Sequence, residues 1–275
     1  MSESLDRYGV VGHPIAHSWS PFIHALFARQ TGQALEYKMF DVRPERFWQF
    51  VHEFSAHGGR GLNVTLPHKR AASELTHELT DRARSAHAVN TLTFANDRLL
   101  GDNTDGIGLV RDLRDNLGLT IARRRILIAG AGGAARGVLV PLLELEPVEI
   151  VVASRNAVRA QELALDFATL GPVRGCGLDE LSLGSFDLVI NATSAGLAGE
   201  VPPIPVEAIS ATTTCYDMAY AKTPTAFIRW ARERGCDRAV AGWGMLVEQA
   251  AESFNIWRGV RPQTAPVLEA LARGG

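Results

Sequence analysis

The sequence predicts an α/β protein of two domains, the first built on a mainly parallel sheet. Its 275 residues exceed the usual size of a single domain. Short apolar segments alternate with helical patterns, and this alternation stops and restarts near the middle of the chain. Since each series can build its own sheet and core, two α/β domains are the expected architecture.

The first hundred residues contain three candidate strands that alternate with two candidate helices. The strands are Tyr8–Gly12, Tyr37–Val42 and Gly61–Leu66, and the helices are Ser20–Arg29 and Pro44–Ala56. The strands are short apolar runs, and the helices repeat apolar residues at helical spacing. Because a helix that connects two strands usually makes them parallel, this order predicts a parallel sheet.

A predicted hairpin and a predicted linker helix end the first domain. Asn90–Phe94 and Arg98–Leu100 are short strands separated by three turn residues, and a helix over Gly106–Leu117 follows. The tail from Gly244 shows two helical patterns and no strand, so we expect it to pack back on the first domain. The predicted domains are residues 1–105 completed by 243–275, and residues 106–242.

The second domain begins with a buried-type strand that runs into a glycine-rich turn. The strand is Arg125–Ala129, and Gly130-Ala131-Gly132-Gly133-Ala134-Ala135 leads into an apolar helix that ends at Leu145. In this setting Gly-x-Gly-x-x-Ala is typical of the dinucleotide-binding Rossmann fold, because the glycines let backbone N–H groups approach a pyrophosphate. A turn without a ligand is the alternative. Three later apolar segments predict further strands, at Glu149–Ala153, Asp187–Ala192 and Thr213–Met218.

The residues after the second strand of this domain indicate which dinucleotide binds. NAD enzymes place a carboxylate there, on the ribose 2′-hydroxyl. This chain has Ser154-Arg155-Asn156 instead, and Arg159 follows on the next helix. A guanidinium can contact a 2′-phosphate, although both arginines would also be ordinary at the exposed start of a helix. The missing carboxylate favours NADP.

Composition and charge exclude several classes of function. The net charge of −2 gives no positive excess for nucleic acid, and runs such as Val138–Leu145 are too short to span a membrane. Met1–Asp6 is polar and acidic rather than signal-like. Cys176, Cys215 and Cys236 form no disulfide or metal pattern, and Cys215 is expected to be a buried free thiol. We expect a cytoplasmic protein with a small-molecule partner, no nucleic acid, no membrane and no metal.

Two serines at the start of the first helix are candidate ligands for a carboxylate. Ser18 and Ser20 precede Pro21, and hydroxyls and free N–H groups at a helix start suit an anion. Either serine could instead be the N-cap of this helix.

Further polar groups stand where strands of the first domain end. Asn63, Thr65 and Lys69 follow one strand, at the edge where open α/β sheets place their ligands. Asn90 and Asp105 add an amide and a carboxylate before the linker helix. Taken singly, Lys69 would ordinarily be a surface residue, and Asp105 could be the N-cap of the helix near Gly106.

Eight short segments follow one another over nearly the whole chain. They are Ser18-x-Ser20-Pro21, Asn63-Val64-Thr65-x-Pro67-x-Lys69, Val89-Asn90-Thr91, Asn103-Thr104-Asp105-Gly106, Gly130–Arg136, Asn191–Gly196, Tyr216–Tyr220 and Gly244–Gln249. In order and spacing, these segments together resemble those of shikimate dehydrogenases.

The resemblance implies an activity and a set of site residues. The activity is the reversible NADP-dependent reduction of 3-dehydroshikimate to shikimate by hydride transfer, a step of aromatic amino acid biosynthesis, in a cleft between the domains. Lys69 and Asp105 would be catalytic, and either a monomer or a homodimer fits the family. The implied substrate ligands are Ser18, Ser20, Thr65, Asn90, Asp105, Tyr220 and Gln249. The implied NADP ligands are Asp81, Gly130, Ala131, Gly132, Gly133, Ala134, Ser154, Arg155, Asn156, Arg159, Met218 and Gly242.

Oxidation of the substrate's C3 hydroxyl needs a group that takes its proton, and Lys69 is the candidate. An ordinary lysine ammonium has a pKa of roughly 10.4, too high for a base near neutrality; burial lowers such a pKa, whereas a nearby carboxylate raises it. Lys69 could therefore act as the base, or it could chiefly stabilise negative charge on the oxygen while Asp105 orients it.

At three places the chain differs from the residues that are most common in the family. His87 replaces a usual glycine, Ser154 and Asn156 replace the usual residues around Arg155, and Ala241 replaces a frequent aspartate. A quinate/shikimate dehydrogenase with relaxed substrate or cofactor choice is the nearest rival interpretation. A non-catalytic nucleotide sensor would be expected to lack the lysine and aspartate. Reductases of the glutamyl-tRNA type and methylene-tetrahydrofolate dehydrogenases would share only the nucleotide half.

Overall fold

The computed structural model describes residues 5–96, 98–181, 184–193 and 199–273. The chain divides into two compact units, one formed by Met1–Gly108 with Val247–Gly275 and the other by Leu109–Leu246. Parts of three predicted features, Met1–Asp6, the hairpin turn and Asn191–Gly196, lie outside the described residues, at positions 1–4, 97 and 194–196.

The first unit is built on a six-stranded sheet. Its strands are β1 Asp6–Gly12, β2 Leu35–Asp41, β3 Gly59–Val64, β4 Glu78–Leu79, β5 Thr91–Ala95 and β6 Arg98–Asp102. They lie in the order β2-β1-β3-β5-β6-β4. Strands β1, β2 and β3 are parallel, and β5 and β6 form an antiparallel hairpin, as the sequence predicts. The two-residue strand β4 carries too short a pattern to be recognised from sequence.

Seven α-helices among the described residues belong wholly or partly to the first unit. They are α1 Ser20–Thr31, α2 Phe47–Ala56, α3 Lys69–Leu75, α4 Asp81–Ala86, α5 Asp105–Arg111, α9 Trp243–Arg258 and α10 Ala265–Ala272, with α5 and α9 continuing into the other unit. Helix α1 has Pro21 in its first turn and ends at Gly32, whose φ of 65° closes the helix in the left-handed conformation. The predicted helix over Pro44–Ala56 is instead a 3-10 turn, Pro44–Arg46, followed by α2.

The second unit is a six-stranded parallel sheet. Its strands are β7 Arg125–Ala129, β8 Glu149–Ser154, β9 Val173–Gly177, β10 Leu188–Asn191, β11 Thr214–Asp217 and β12 Arg238–Ala241, in the order β12-β11-β10-β7-β8-β9. Helices α6 Gly133–Leu143, α7 Ala157–Phe167 and α8 Ala226–Glu233 connect them. Alternate residues of β7 enter different apolar clusters, Ile126 and Ile128 one and Leu127 the other, so both faces of the sheet are covered.

The predicted helix over Gly106–Leu117 is wrong in its second half. Helix α5 ends at Arg111, and a π-helical turn, Asp112–Asn116, follows. In this wider turn the buried carboxylate of Asp112 accepts hydrogen bonds from Tyr216 Oη at 2.6 Å and from Asn116 Nδ2 at 3.0 Å. Because a buried carboxylate without partners would cost several kcal/mol, these bonds favour the irregular turn over a regular helix.

Three cysteines are free and buried, as the sequence predicts for Cys215. Burial raises the pKa of the Cys215 thiol, which makes it a poor nucleophile. No helix among the described residues combines the length and the apolar composition needed to cross a membrane.

His87 adopts a conformation that favours glycine. It is the C-cap of α4, exposed, with φ of 50°. Since a left-handed residue with a Cβ costs about 1 kcal/mol, we expect His87→Gly to raise the free energy of unfolding by about that amount in urea titrations. His57, the exposed C-cap of α2 with φ of −92°, is the matched control, and His57→Gly should give no gain. Equal gains for both variants would contradict this explanation.

Candidate functional site

An ion pair between Lys69 and Asp105 is the centre of the polar site in the first unit. Lys69 is the first residue of α3 and Asp105 the first of α5, and Lys69 Nζ lies 2.5 Å from Asp105 Oδ2. Their side chains are 26% and 15% exposed, so both are largely shielded while still reached by solvent. The carboxylate fixes the direction of the lysine nitrogen without enclosing it.

Asp105 has no N-cap role in α5, which corrects one interpretation of the sequence. The N–H of Asp105 donates to Asn103 Oδ1 at 3.1 Å, so Asn103 serves the first free N–H group of the helix. The Asp105 carboxylate is therefore left for Lys69 and for Asn90 Nδ2, which donates to Asp105 Oδ1 at 2.8 Å.

Asn90 and Gln249 lie in the same polar cluster as the ion pair. Asn90 is buried before β5, and its amide also donates to Thr104 Oγ1 at 2.9 Å. Gln249 comes from α9 and brings its Oε1 to 3.3 Å from Asn90 Nδ2 and 3.4 Å from Thr104 Oγ1. Four residues predicted from distant parts of the sequence, Lys69, Asn90, Asp105 and Gln249, thus meet in one place.

The two serines occupy the start of α1, although neither is its N-cap. Helix α1 begins at Ser20, and the N-cap position is Trp19, whose side chain makes no capping bond. Ser18 Oγ accepts from the N–H of Ser20 at 3.3 Å, which gives it part of the capping role. The twelve-residue helix presents its positive end here, where an anion is favoured.

Thr65 follows β3 directly, in the segment that leads to Lys69. Its N–H donates to Val11 O at 3.0 Å, and its carbonyl accepts from the N–H of His68 at 2.9 Å. His68 is buried, stacks on Phe47 at 4.5 Å and hydrogen-bonds Val42 O through Nε2 at 2.7 Å. These bonds fix the four residues between the strand and the helix that carries Lys69.

Asp81 lies at the start of α4 with a fully exposed carboxylate. Its nearest ionic partner is Arg84, 3.9 Å away. Exposed pairs of this length contribute little to stability, so no strong ion pair among the described residues holds the Asp81 carboxylate.

The glycine-rich turn of the second unit has the conformation that its sequence predicts. Gly130 has φ of 111°, and a Cβ built there would lie 3.0 Å from the carbonyl of Ala192. Gly132 is the N-cap of α6, Gly132 and Gly133 are exposed, and a Cβ on either would meet no atom within 4 Å. Ala135 is fully buried against the sheet. The free N–H groups at the start of α6 are therefore accessible to an anion.

Two arginines stand beside this turn without partners among the described residues. Ser154 ends β8, and Asn156 is the N-cap of α7, accepting from the N–H of Arg159 at 3.2 Å. The side chains of Arg155 and Arg159 are exposed and have no hydrogen-bond or ionic partner in the part of the chain that the structure describes. Unpaired guanidiniums beside an anion-binding helix start suit a second phosphate.

Met218, Tyr220 and Gly242 lie together at the ends of β11 and β12. The N–H of Gly242 donates to Ala219 O at 3.1 Å, and a Cβ on Gly242 would lie 2.6 Å from Met218 O. The Tyr220 ring packs on Trp243 with centroids 4.8 Å apart, and burial raises the pKa of the Tyr220 phenol, which stays protonated. Only a glycine allows this close approach of the two chain segments.

Sequence reasoning missed two residues, Ser253 and Tyr37, of the hydrogen-bonded network next to Asn90 and Gln249. Ser253 is fully buried one turn after Gln249, and Tyr37 donates to Asn63 Oδ1 at 2.7 Å. A lone serine in an amphipathic helix and a tyrosine in a strand carry no sequence signal for such a role. Helical spacing of four residues from Gln249 to Ser253 was the available hint.

A dinucleotide-type turn in one α/β unit and a lysine–aspartate pair in the other define the class of the protein, a two-domain α/β dehydrogenase. Three family models match the chain. The matches are the shikimate dehydrogenase substrate binding domain over residues 10–92, shikimate/quinate 5-dehydrogenase over residues 113–198 and the shikimate 5′-dehydrogenase C-terminal domain over residues 242–272. The chain belongs to the shikimate dehydrogenase family.

Relatives and solved structures agree with this membership. The shikimate dehydrogenase (NADP(+)) of Methylococcus capsulatus is 55% identical, over 97% of this chain and 96% of its own. The Ael1 enzyme from Pseudomonas putida is 44% identical with a TM-score of 0.92, over 97% of this chain and 98% of its own. Shikimate 5-dehydrogenase from Thermus thermophilus, in complex with NADP(H) and shikimate, is 31% identical with a TM-score of 0.87, over 98% and 99% of the two chains.

Proposed function

We propose that this chain interconverts shikimate and 3-dehydroshikimate with NADP as its cofactor. The observation that carries the proposal is the Lys69–Asp105 pair, held 2.5 Å apart in a cluster with Asn90 and Gln249. An alcohol oxidation needs a group that takes the hydroxyl proton and neighbours that hold the ring hydroxyls. Relatives more than 50% identical over nearly the whole chain are named shikimate dehydrogenase (NADP(+)).

In the proposed mechanism, the neutral amine of Lys69 takes the proton of the C3 hydroxyl as the hydride leaves C3 for NADP, and the Asp105 carboxylate stabilises the ammonium that forms. Asp105 holds Lys69 Nζ through Oδ2, and it uses Oδ1 to hold Asn90. Both catalytic groups are thereby fixed before substrate arrives, so little reorganisation is needed in the reaction. Ser18 and Ser20 bind the carboxylate at the positive end of α1, while Thr65, Asn90, Gln249 and Tyr220 complete the set of substrate ligands.

The second unit fits NADP at two points. The open helix start at Gly132 and Gly133 suits the pyrophosphate, and the unpaired Arg155 and Arg159 suit the 2′-phosphate. When bound, NADP would supply the hydride acceptor for oxidation of the substrate and the hydride donor for the reverse reaction. We accordingly assign most of the substrate ligands to the first unit and most of the NADP ligands to the second. The further predicted NADP contacts are Gly130 to Ala134, Ser154, Asn156, Met218 and Gly242, together with Asp81 of the first unit.

The finer expectations from the sequence stay part of this proposal. They are a cytoplasmic location, a monomer or homodimer, and no nucleic-acid partner. The net charge of −2 supports the last of them, because a nucleic-acid-binding surface usually needs an excess of lysine and arginine.

Nicotinamide reduction by the purified protein tests the proposed function. Shikimate and quinate are each offered with NADP and with NAD. Fast reduction with shikimate and NADP alone is the expected result. Comparable rates with quinate or NAD would favour the relaxed quinate/shikimate type, and no reduction in any of the four would refute an enzymatic role.

Cofactor choice should depend on Arg155. Replacing Arg155 by serine removes a charge-assisted bond to the 2′-phosphate, so we expect the KM for NADP to rise at least about tenfold. The KM for NAD, which lacks that phosphate, should stay within about twofold. Initial rates at varied cofactor concentration give both values.

Arg114→Ser is the matched control for Arg155→Ser. Arg114 is an exposed arginine of the same unit, paired with Asp115 at 2.6 Å. Its replacement should leave both KM values unchanged. An Arg155→Ser enzyme whose KM rises equally for NAD and NADP would contradict the assignment of Arg155 to the phosphate.

A further inference from the structure

A line of polar side chains, buried except for the partly exposed Tyr37, runs through the first unit next to Asn90. It consists of Tyr37 on β2, Asn63 on β3, Ser253 on α9 and Thr91 on β5. Asn63 and Asn90 are at most 6% exposed, and Thr91 and Ser253 are fully buried. Buried polar atoms must be paired, so the direction of each hydrogen bond in this line can be worked out.

The amide of Asn90 has one possible orientation. The Asp105 carboxylate can only accept, so the NH2 group of Asn90 faces it at 2.8 Å. The backbone N–H of Thr104 can only donate, so Asn90 Oδ1 faces it at 2.8 Å. Thr91 Oγ1 lies 2.9 Å from the same oxygen and must donate its single proton there.

Ser253 must in turn donate to Thr91. The two hydroxyl oxygens are 2.8 Å apart, and the proton of Thr91 is already used on Asn90. Ser253 Oγ then accepts from Asn63 Nδ2 at 3.0 Å. Ser253 Oγ also donates to the backbone carbonyl of Gln249 at 3.1 Å, one turn earlier in α9, so its single proton is shared between that carbonyl and Thr91 Oγ1.

Tyr37 begins the line. The NH2 group of Asn63 faces the carbonyl of Asn90 at 3.2 Å, which can only accept, so Asn63 Oδ1 points to Tyr37. Tyr37 Oη donates to it at 2.7 Å. Burial raises the pKa of the Tyr37 phenol above its ordinary value, so the phenol is protonated at neutral pH and remains a donor. Every bond from Tyr37 to Asp105 thus points in the same direction.

We propose that Tyr37 and Ser253 are positioning residues for the substrate, acting through the directed chain Tyr37, Asn63, Ser253, Thr91 and Asn90. Aligned hydrogen bonds polarise and strengthen one another, and Ser253 joins the chain to α9 beside Gln249. The chain holds the Asn90 amide and the Gln249 turn in the arrangement that meets the ring hydroxyls. This inference rests on the proposed function, since it takes Asn90 and Gln249 as substrate ligands.

Kinetics of Tyr37→Phe and Ser253→Ala test the proposal. Each change removes one hydroxyl and keeps the carbon framework. We expect each to raise the KM for shikimate about fivefold, the effect of one buried hydrogen bond, with kcat and the KM for NADP within about twofold of wild type. Because the chain is broken by either change, the double variant should show about the same KM as Ser253→Ala alone. Multiplied effects would mean independent packing defects and would overturn the proposal.

Tyr8→Phe is the matched control. Tyr8 is the partner of Tyr37 in the β1–β2 register and is 4% exposed. Its hydroxyl contacts Arg258, which is not a member of the directed hydrogen-bond chain. Its replacement should leave the KM for shikimate unchanged.

A further variant, Asn90→Ala, distinguishes a failure of the proposed substrate site from a failure of the directed hydrogen-bond chain. If it leaves the KM unchanged, the site assignment fails; if it raises the KM while Tyr37→Phe and Ser253→Ala do not, only the directed chain is refuted.

Discussion

Replacing Lys69 by alanine should lower kcat for shikimate oxidation by roughly a thousandfold, the usual contribution of a positioned proton acceptor. The binding of shikimate should weaken only slightly, because the predicted carboxylate and ring-hydroxyl ligands all remain. Lys69 is the first residue of α3, and its Nζ contacts Asp105. Replacing the side chain by a methyl group therefore removes the reacting amine but no residue of the buried apolar core. Steady-state kinetics and direct titration of shikimate binding give the two quantities.

Arg70→Ala controls for a change of charge at the same helix start. Arg70 is the next residue, and its side chain is 86% exposed and paired only with Glu74, at 3.2 Å, among the described residues. Its replacement should leave kcat within about twofold of wild type. A Lys69→Ala enzyme with wild-type kcat would remove Lys69 from the mechanism.

The folded protein should lose stability in mild acid through His24. This side chain is fully buried on α1, stacked on Tyr37 with centroids 4.0 Å apart, and its ring nitrogens have no hydrogen-bond partner among the described residues. Burial lowers the pKa of His24 to about 3, from an ordinary value of 6.5. Between about pH 6.5 and pH 3, His24 is therefore protonated in the unfolded chain and neutral in the folded protein.

The sign and size of the effect follow from this difference. Unfolding takes up a proton, so the free energy of unfolding falls as the pH drops through 6.5, by about 2 kcal/mol at pH 5 from His24 alone. His24→Phe keeps an aromatic ring in an aromatic site and removes the titration. Urea unfolding at pH 7 and pH 5 should show a smaller pH dependence for the variant by about that amount. The same pH dependence in both proteins would show that His24 is not the cause.

The sequence predicted most of the fold because the strands and turns depend on local pattern. The run Arg125–Ala129 and the turn that begins at Gly130 fold as expected, since a buried parallel strand is continuously apolar and Gly130 needs a positive φ. The π-helical turn at Asp112 was missed because it depends on a bond to Tyr216, about a hundred residues away. Local propensity contains no information on that partner.

The candidate site was predicted from motifs, and its support was not. Lys69, Asn90, Asp105 and Gln249 come from family-like segments, and the structure brings them together. Ser253 and Tyr37 belong to no recognisable motif. Their proposed role depends on hydrogen bonds between four separate elements, which the sequence does not indicate. Three-dimensional neighbours of this kind become visible only once α9 is placed against the sheet of the first unit.

The fate of deuterium placed at C3 of shikimate tests the central claim most directly. If the chain transfers a hydride from that carbon, the label should appear in the reduced nicotinamide of NADPH, with one deuterium for each 3-dehydroshikimate formed. Lys69→Ala should give the same labelled product far more slowly. Deuterium released to water, or NADPH formed without label, would contradict hydride transfer from C3 and with it the assigned reaction.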